Sequence, residues 1–99
     1  MSGSGAPVFA VTNRLPGAAV DALLAAGEVR SDDREEAIPR RDLLALAADA
    51  DALLTLLHDR VDEELLDAAG PRLRCVANVA VGYDNVDVAG AARRGVVVT

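Results

Sequence analysis

The sequence predicts an α/β domain built on a doubly wound, five-stranded parallel sheet with strand order 2-1-3-4-5. Short apolar runs alternate with helix-period segments along the whole chain. Ala, Leu and Val supply most of the 52% hydrophobic content, with Phe9 and Tyr83 the only aromatics. Gly and Pro punctuate the segments where one period gives way to the other. Buried parallel strands read as short aliphatic runs, and their alternation with helices implies right-handed crossovers.

Val8–Thr12 is the first strand, closed by the turn Asn13-Arg14-Leu15-Pro16-Gly17. Pro16 suits a helix start, and Val20, Leu23 and Leu24 give the i, i+3, i+4 stripe of a helix that stops at Gly27. A short second strand spans Glu28–Ser31, and the polar stretch from Asp32 to Pro39 is a solvated loop. Arg40–Ala48 is the second helix, with Leu43, Leu46 and Ala47 on one face, and Asp51–Leu57 contains the third strand. Asp62 caps the next helix, Glu63 and Glu64 face its positive dipole end, and Val61 can staple onto Leu66. Gly70-Pro71 stops it, and Arg74–Ala77 begins the fourth strand. Val86-Asp87 repeats the staple and cap ahead of a helix ended by Gly95, within which Gly90 is a weakness of about 1 kcal/mol relative to Ala. Val96–Thr99 is the fifth strand.

This is a flavodoxin-like arrangement, with the first helix on one sheet face and the other three opposite. The fifth helix that would complete it is missing from the sequence, so the chain reads as truncated at Thr99. Strands three to five are then expected to expose an apolar patch on the order of several hundred Å².

Bulk properties exclude several classes of function. A net charge of −6, with all 10 basic residues Arg, argues against nucleic-acid binding, which needs clustered cations. No run approaches the roughly 20 apolar residues of a membrane span. Met1–Ala6 lacks the features of a signal peptide, so residues 1–7 read as a flexible tail. One cysteine, Cys75, precludes an internal disulfide and fits a reducing compartment, so cytoplasm is expected.

Ligands of open α/β sheets collect beyond the carboxyl ends of the strands. Four segments qualify: Thr12-Asn13-Arg14, Leu56-Leu57-His58-Asp59, Asn78 to Asn85, and Thr99. Asn78-Val79-Ala80-Val81-Gly82-Tyr83-Asp84-Asn85 is the most informative, a strand-to-helix loop longer than usual. Gly82 permits close backbone approach, and free amides before a helix favour a carboxylate or phosphate.

Asn-Val-Ala-Val-Gly-Tyr-Asp-Asn-Val-Asp, followed by Ala-Ala-Arg-Arg-Gly-Val-Val-Val-Thr, resembles the D-2-hydroxyacid dehydrogenases, and within them the glyoxylate/hydroxypyruvate reductases. The opening VFAVTNRLP, the middle ADALLTLLHDRVDEELLDAAG and the segment PRLRCVANVAVGYDNVD extend the resemblance from Val8 to Thr99. It implies that residues 8–99 are the first part of a substrate-binding domain. Val81 and Gly82 would offer backbone N–H groups to a substrate carboxylate, and Leu56 or Leu57 would line the pocket. Tyr83 would either contact substrate or cover the loop. The family's catalytic Arg, Glu and His, and its Rossmann domain for NAD or NADP, would lie beyond residue 99. No G-x-G-x-x-G occurs in the sequence. The chain alone is therefore expected to bind no cofactor and to be inactive, its implied ligand being a small 2-keto or 2-hydroxy acid. An uncovered sheet face makes a homodimer the expected assembly.

Other residues have plainer roles. His58 has no metal-ligand partners at suitable spacing and reads as a solvent-facing loop residue. Cys75 reads as a buried small apolar residue, Asp84 and Asn85 as bonding their own loop backbone, and Arg14 as a surface ion pair. A phosphoacceptor receiver domain shares the topology but needs an acidic cluster, an Asp and a Lys where this chain has Thr12-Asn13, Leu56-Leu57 and Thr99. A flavodoxin proper needs a hydroxyl- and glycine-rich phosphate loop, and TNRLPG does not provide one.

Overall fold

In the computed structural model, residues 6–12, 17–32, 38–56, 58–79 and 82–99 are described. The expected tail, the turn through Arg14, most of the polar loop, Leu57 and Val81 fall largely or wholly outside them. The elements are β1 (Val8–Val11), α1 (Gly17–Ala26), β2 (Glu28–Ser31), α2 (Arg40–Ala47), β3 (Ala52–Leu56), α3 (Glu63–Ala69), β4 (Cys75–Val79), α4 (Val88–Arg93) and β5 (Val97–Val98). The strands form one sheet in the order β2-β1-β3-β4-β5, every pair parallel. The expected strand order and parallel pairing are both realised.

Local chemistry explains where the helices begin and end. The Asp62 side chain accepts from the Leu65 amide and the Asp87 side chain from the Gly90 amide, each satisfying an orphan donor of the first turn. Gly70 and Gly95 sit at φ 88° and 71°, positive-φ backbone that L side chains rarely adopt, and they end α3 and α4. Gly90 has a second meaning that helix propensity does not convey. A Cβ there would lie 2.8 Å from the Asp87 Cγ and closer still to its Oδ2. With the Asp87 carboxylate placed as it is, a side chain at position 90 would force the cap to shift.

The sheet has two unequal faces. On one, Ala10, Leu53 and Val76 join Leu43 and Ala47 of α2, Leu65, Leu66 and Ala69 of α3, and Ala91 of α4 in a single core. Helix α1 packs beside β2 and buries none of its residues. Cross-strand register aligns Ala52 with Cys75 and Val97, Leu54 with Ala77, and Leu56 with Val79 on the other face. Leu54, Leu56, Cys75 and Ala77 are half-buried there, while Val79 and Val97 are 59% and 60% exposed. Cys75 is thus only half-buried rather than buried as expected of a residue in a central strand, because its side chain faces the thinly covered side.

Candidate functional site

The carboxyl edge of the sheet holds a polar cluster that the aliphatic strands conceal. Thr12 follows β1, Thr55 sits in β3, Asp59 follows β3, and Asn78 lies in β4. All four are buried, Thr55 completely and Thr12 and Asp59 to 2% exposure. Buried polar groups persist when their hydrogen bonds are made inside the protein. Thr12 Oγ1 donates to Asp59 Oδ2, and the Leu56 amide donates to the same oxygen at 2.8 Å. Thr55 Oγ1 donates to Asn78 Oδ1 at 2.8 Å.

Asn85 extends the cluster across two loops. Its Nδ2 donates to the carbonyls of Leu56 and Asp59, at 3.1 and 2.9 Å, and lies 3.0 Å from Asn78 Oδ1. Asn78 Nδ2 in turn donates to Asn85 Oδ1 at 3.0 Å and to the Gly82 carbonyl at 3.2 Å. Backbone bonds reinforce the join: Val61 N to Asn85 O and Asp87 N to Val61 O, both 2.8 Å. Asn85 therefore binds the neighbouring β3 loop rather than the backbone of its own.

Leu56 and Gly82 are consequently brought together through two side-chain amides. Leu56 is half-buried at the end of β3, and Gly82 is exposed with nothing within 4 Å of where a Cβ would stand. Tyr83 is 50% exposed and its carbonyl accepts from the Val86 amide. Leu57 and Val81, the remaining expected contacts, lie outside the described residues. His58 is exposed, its Nε2 3.8 Å from Asp59 Oδ1, which fits the loop role read from the sequence.

A cleft of about 320 Å³ adjoins this edge, lined by Ile38, Arg40, Leu43, His58, Asp59 and Arg60. Its cations are engaged. Arg40 pairs with Asp62 and with Glu64 at 2.9 Å, and donates to the Arg60 carbonyl at 2.7 Å. Burial opposes the charge on Arg40, but Glu64 and Asp62 outweigh it and raise its pKa. Arg60 pairs with Asp62 at 3.2 Å. Burial likewise opposes the Asp62 charge, yet the Leu65 amide, Arg40 and Arg60 hold its carboxyl below the usual range. Among the described residues, no group of three or more His, Cys, Asp or Glu could hold a metal ion. No described helix is long and apolar enough to cross a membrane.

The sequence pattern of the D-isomer specific 2-hydroxyacid dehydrogenase catalytic domain matches residues 9–99. The chain belongs to that family. Among the dehydrogenases it resembles are the glyoxylate reductases of Thermococcus kodakarensis and Thermococcus gammatolerans, 48% and 50% identical over 93 residues. These alignments cover 94% of this chain and 28% of each relative, so the chain spans well under a third of their length. A crystal structure of a Thermus thermophilus protein superposes with a TM-score of 0.84 at 38% identity, covering 94% of this chain and 29% of that one. An NADPH-dependent glyoxylate/hydroxypyruvate reductase from Sinorhizobium meliloti, solved in complex with NADP and malonate, gives 0.66 at 31% identity, covering 96% and 28%.

Sequence reasoning identified the dehydrogenase loop but missed the Thr12–Asp59 and Thr55–Asn78 pairs. One signal was available: Thr55 interrupts the apolar run Ala52–Leu56 at an inward-facing position, where a hydroxyl needs a partner.

Proposed function

We propose that this chain is the N-terminal substrate-binding segment of an NAD(P)-dependent 2-hydroxyacid dehydrogenase that reduces a 2-keto acid such as glyoxylate or hydroxypyruvate in the intact enzyme. The observation that carries this is the loop from Asn78 to Asp87, whose family-like sequence is anchored beside Leu56 at the ligand-binding edge of the sheet. The high identity to two glyoxylate reductases supports the substrate class.

In this role the backbone amides of Val81 and Gly82 hold the substrate carboxylate. Leu56 and Leu57 line the pocket, and Tyr83 contacts the substrate. Amides held in place orient an anion without reorganising during the reaction. When bound, a nicotinamide supplies the hydride. This chain's own residues do not fit such a cofactor: there is no G-x-G-x-x-G, and the Thr12 hydroxyl at the end of β1 is taken by Asp59. The cofactor site and the acid–base groups belong to other residues of the intact enzyme.

The test is nicotinamide oxidation with glyoxylate and hydroxypyruvate, on this chain and on a version extended through the downstream reading frame. Turnover by the extended protein only is the expected result. Turnover by the 99-residue chain itself contradicts the assignment of roles.

A second reading rests on the exposed Val79 and Val97 beside half-buried Cys75 and Ala77. An apolar sheet face of this kind suits self-association, making the chain a dimerising module. Light scattering tests it: a mass of twice the chain is expected, and a monomer at high concentration counts against it.

A further inference from the structure

We infer that Asn78 and Asn85 are positioning residues, a reciprocal amide pair that fixes Gly82 relative to Leu56 and so sets the geometry of the carboxylate grip. The inference rests on the functional reading above and adds to it the device that holds the site in shape.

The polarity of the pair is determined by its surroundings. Two carbonyls, of Leu56 and Asp59, face one end of the Asn85 amide, so that end must be the NH2 group. Its oxygen is thereby turned to Asn78 Nδ2, whose other acceptor is the Gly82 carbonyl. The Asn78 oxygen accepts from Thr55 at 2.8 Å and lies 3.0 Å from Asn85 Nδ2. These contacts agree with one orientation of each amide. Satisfied polar networks of this kind rigidify what they connect.

What they connect is specific. One end holds the β3 loop through Leu56 and Asp59, and the other holds Gly82. Asp59 is fixed to β1 through Thr12, so the chain of bonds runs from β1 through β3 to the loop after β4. Gly82 is exposed, with open space where a Cβ would stand. The amide pair restrains its carbonyl from the sheet side.

The experiment uses the 99-residue chain, labelled for NMR, with Asn85→Ala, Asn85→Asp and Asn78→Ala. Order parameters at Gly82 are measured with and without oxalate as a carboxylate probe, alongside protection of the Leu53 and Val76 amides as a check on the sheet. Asn85→Asp keeps the shape but sets a carboxylate oxygen against two carbonyls, so it distinguishes hydrogen-bond polarity from space filling. In all three variants the Gly82 order parameter is expected to fall from about 0.85 toward 0.6 or below, with the core amides still protected. Oxalate affinity should fall by about tenfold. Gly82 order and affinity unchanged in Asn85→Asp would overturn the positioning role. Failure of the unsubstituted chain to bind oxalate counts against the functional reading instead, and Gly82 order still decides the role of the pair.

Discussion

Thr12 gives the sharpest test of the buried polar cluster, because hydrophobicity and hydrogen bonding predict opposite outcomes there. Valine has nearly the shape of threonine, greater hydrophobicity and good strand propensity, so Thr12→Val should be harmless or stabilising if burial alone decides. The structure says otherwise. Thr12 is 2% exposed and its hydroxyl donates to the equally buried Asp59 carboxylate. Removing that donor leaves Asp59 with the Leu56 amide as its remaining partner on the same oxygen. A hydrogen bond to a charged group contributes about 1.5–3 kcal/mol, so a loss of about 2 kcal/mol is expected. Thr12→Ser keeps the donor and removes one methyl, which costs about 1 kcal/mol. The valine variant should therefore be the less stable by about 1 kcal/mol. In a domain of this size, 2 kcal/mol corresponds to a Tm decrease of roughly 8–16 °C. Urea unfolding followed by circular dichroism, with unchanged m-values, measures the order directly. Thr12→Val as stable as Thr12→Ser, or more so, would refute the claim that the cluster is held by that bond.

Three further outcomes follow from particular contacts. Gly90→Ala should fail to give the usual helix gain of about 1 kcal/mol, because its Cβ collides with the Asp87 cap, yet it should stabilise in an Asp87→Ala background. An equal gain in both backgrounds, measured by denaturant unfolding, would contradict the cap geometry. The Asp62 carboxyl lies below its ordinary value of 3.8 in the folded chain, so its stabilising contribution is complete above that pH and is lost as pH falls through the lower folded value. Asn caps a helix as Asp does, so acid titration of Asp62→Asn should keep helix α3 while flattening the stability curve in that window; an unchanged acid limb counts against the Arg40 and Arg60 pairing. Gly82→Ala should leave stability within about 0.5 kcal/mol, since nothing lies within 4 Å of the new Cβ, while weakening carboxylate binding. A large fall in melting temperature would mean that Gly82 is structural.

Legibility in the sequence followed the range of the interactions. The caps at Asp62 and Asp87 reach a backbone amide three residues on, and the stops at Gly70 and Gly95 depend on one residue's φ, so local reading found all four. Strand order was legible because alternating apolar runs admit few right-handed parallel topologies. The polar cluster joins Thr12 to Asp59 and Thr55 to Asn78, partners far apart in sequence that only the sheet brings together. Asn85 was read as bonding the backbone of its own loop, whereas its partners belong to the β3 loop and could not be named from local spacing. The closeness of position 90 to the Asp87 carboxylate was not legible, because propensity scales contain no term for the side chain of the cap. Cys75 was assigned to the interior by residue type, whereas strand parity puts it on the thinly covered face.

The most direct test of the central claim is to map glyoxylate onto the isotopically labelled chain by amide shift perturbation. Binding at the dehydrogenase loop predicts shifts centred on Leu56, Gly82 and Tyr83, with the cleft at Leu66, Asp67, Gly70, Pro71, Arg94 and Val96 unaffected. That cleft lies at the opposite edge of the sheet, and its Arg94 is already paired with Asp67 and Glu63. Shifts centred on the Arg94 cleft, or none at Gly82 at saturating glyoxylate, would contradict the assignment of this edge as the substrate site.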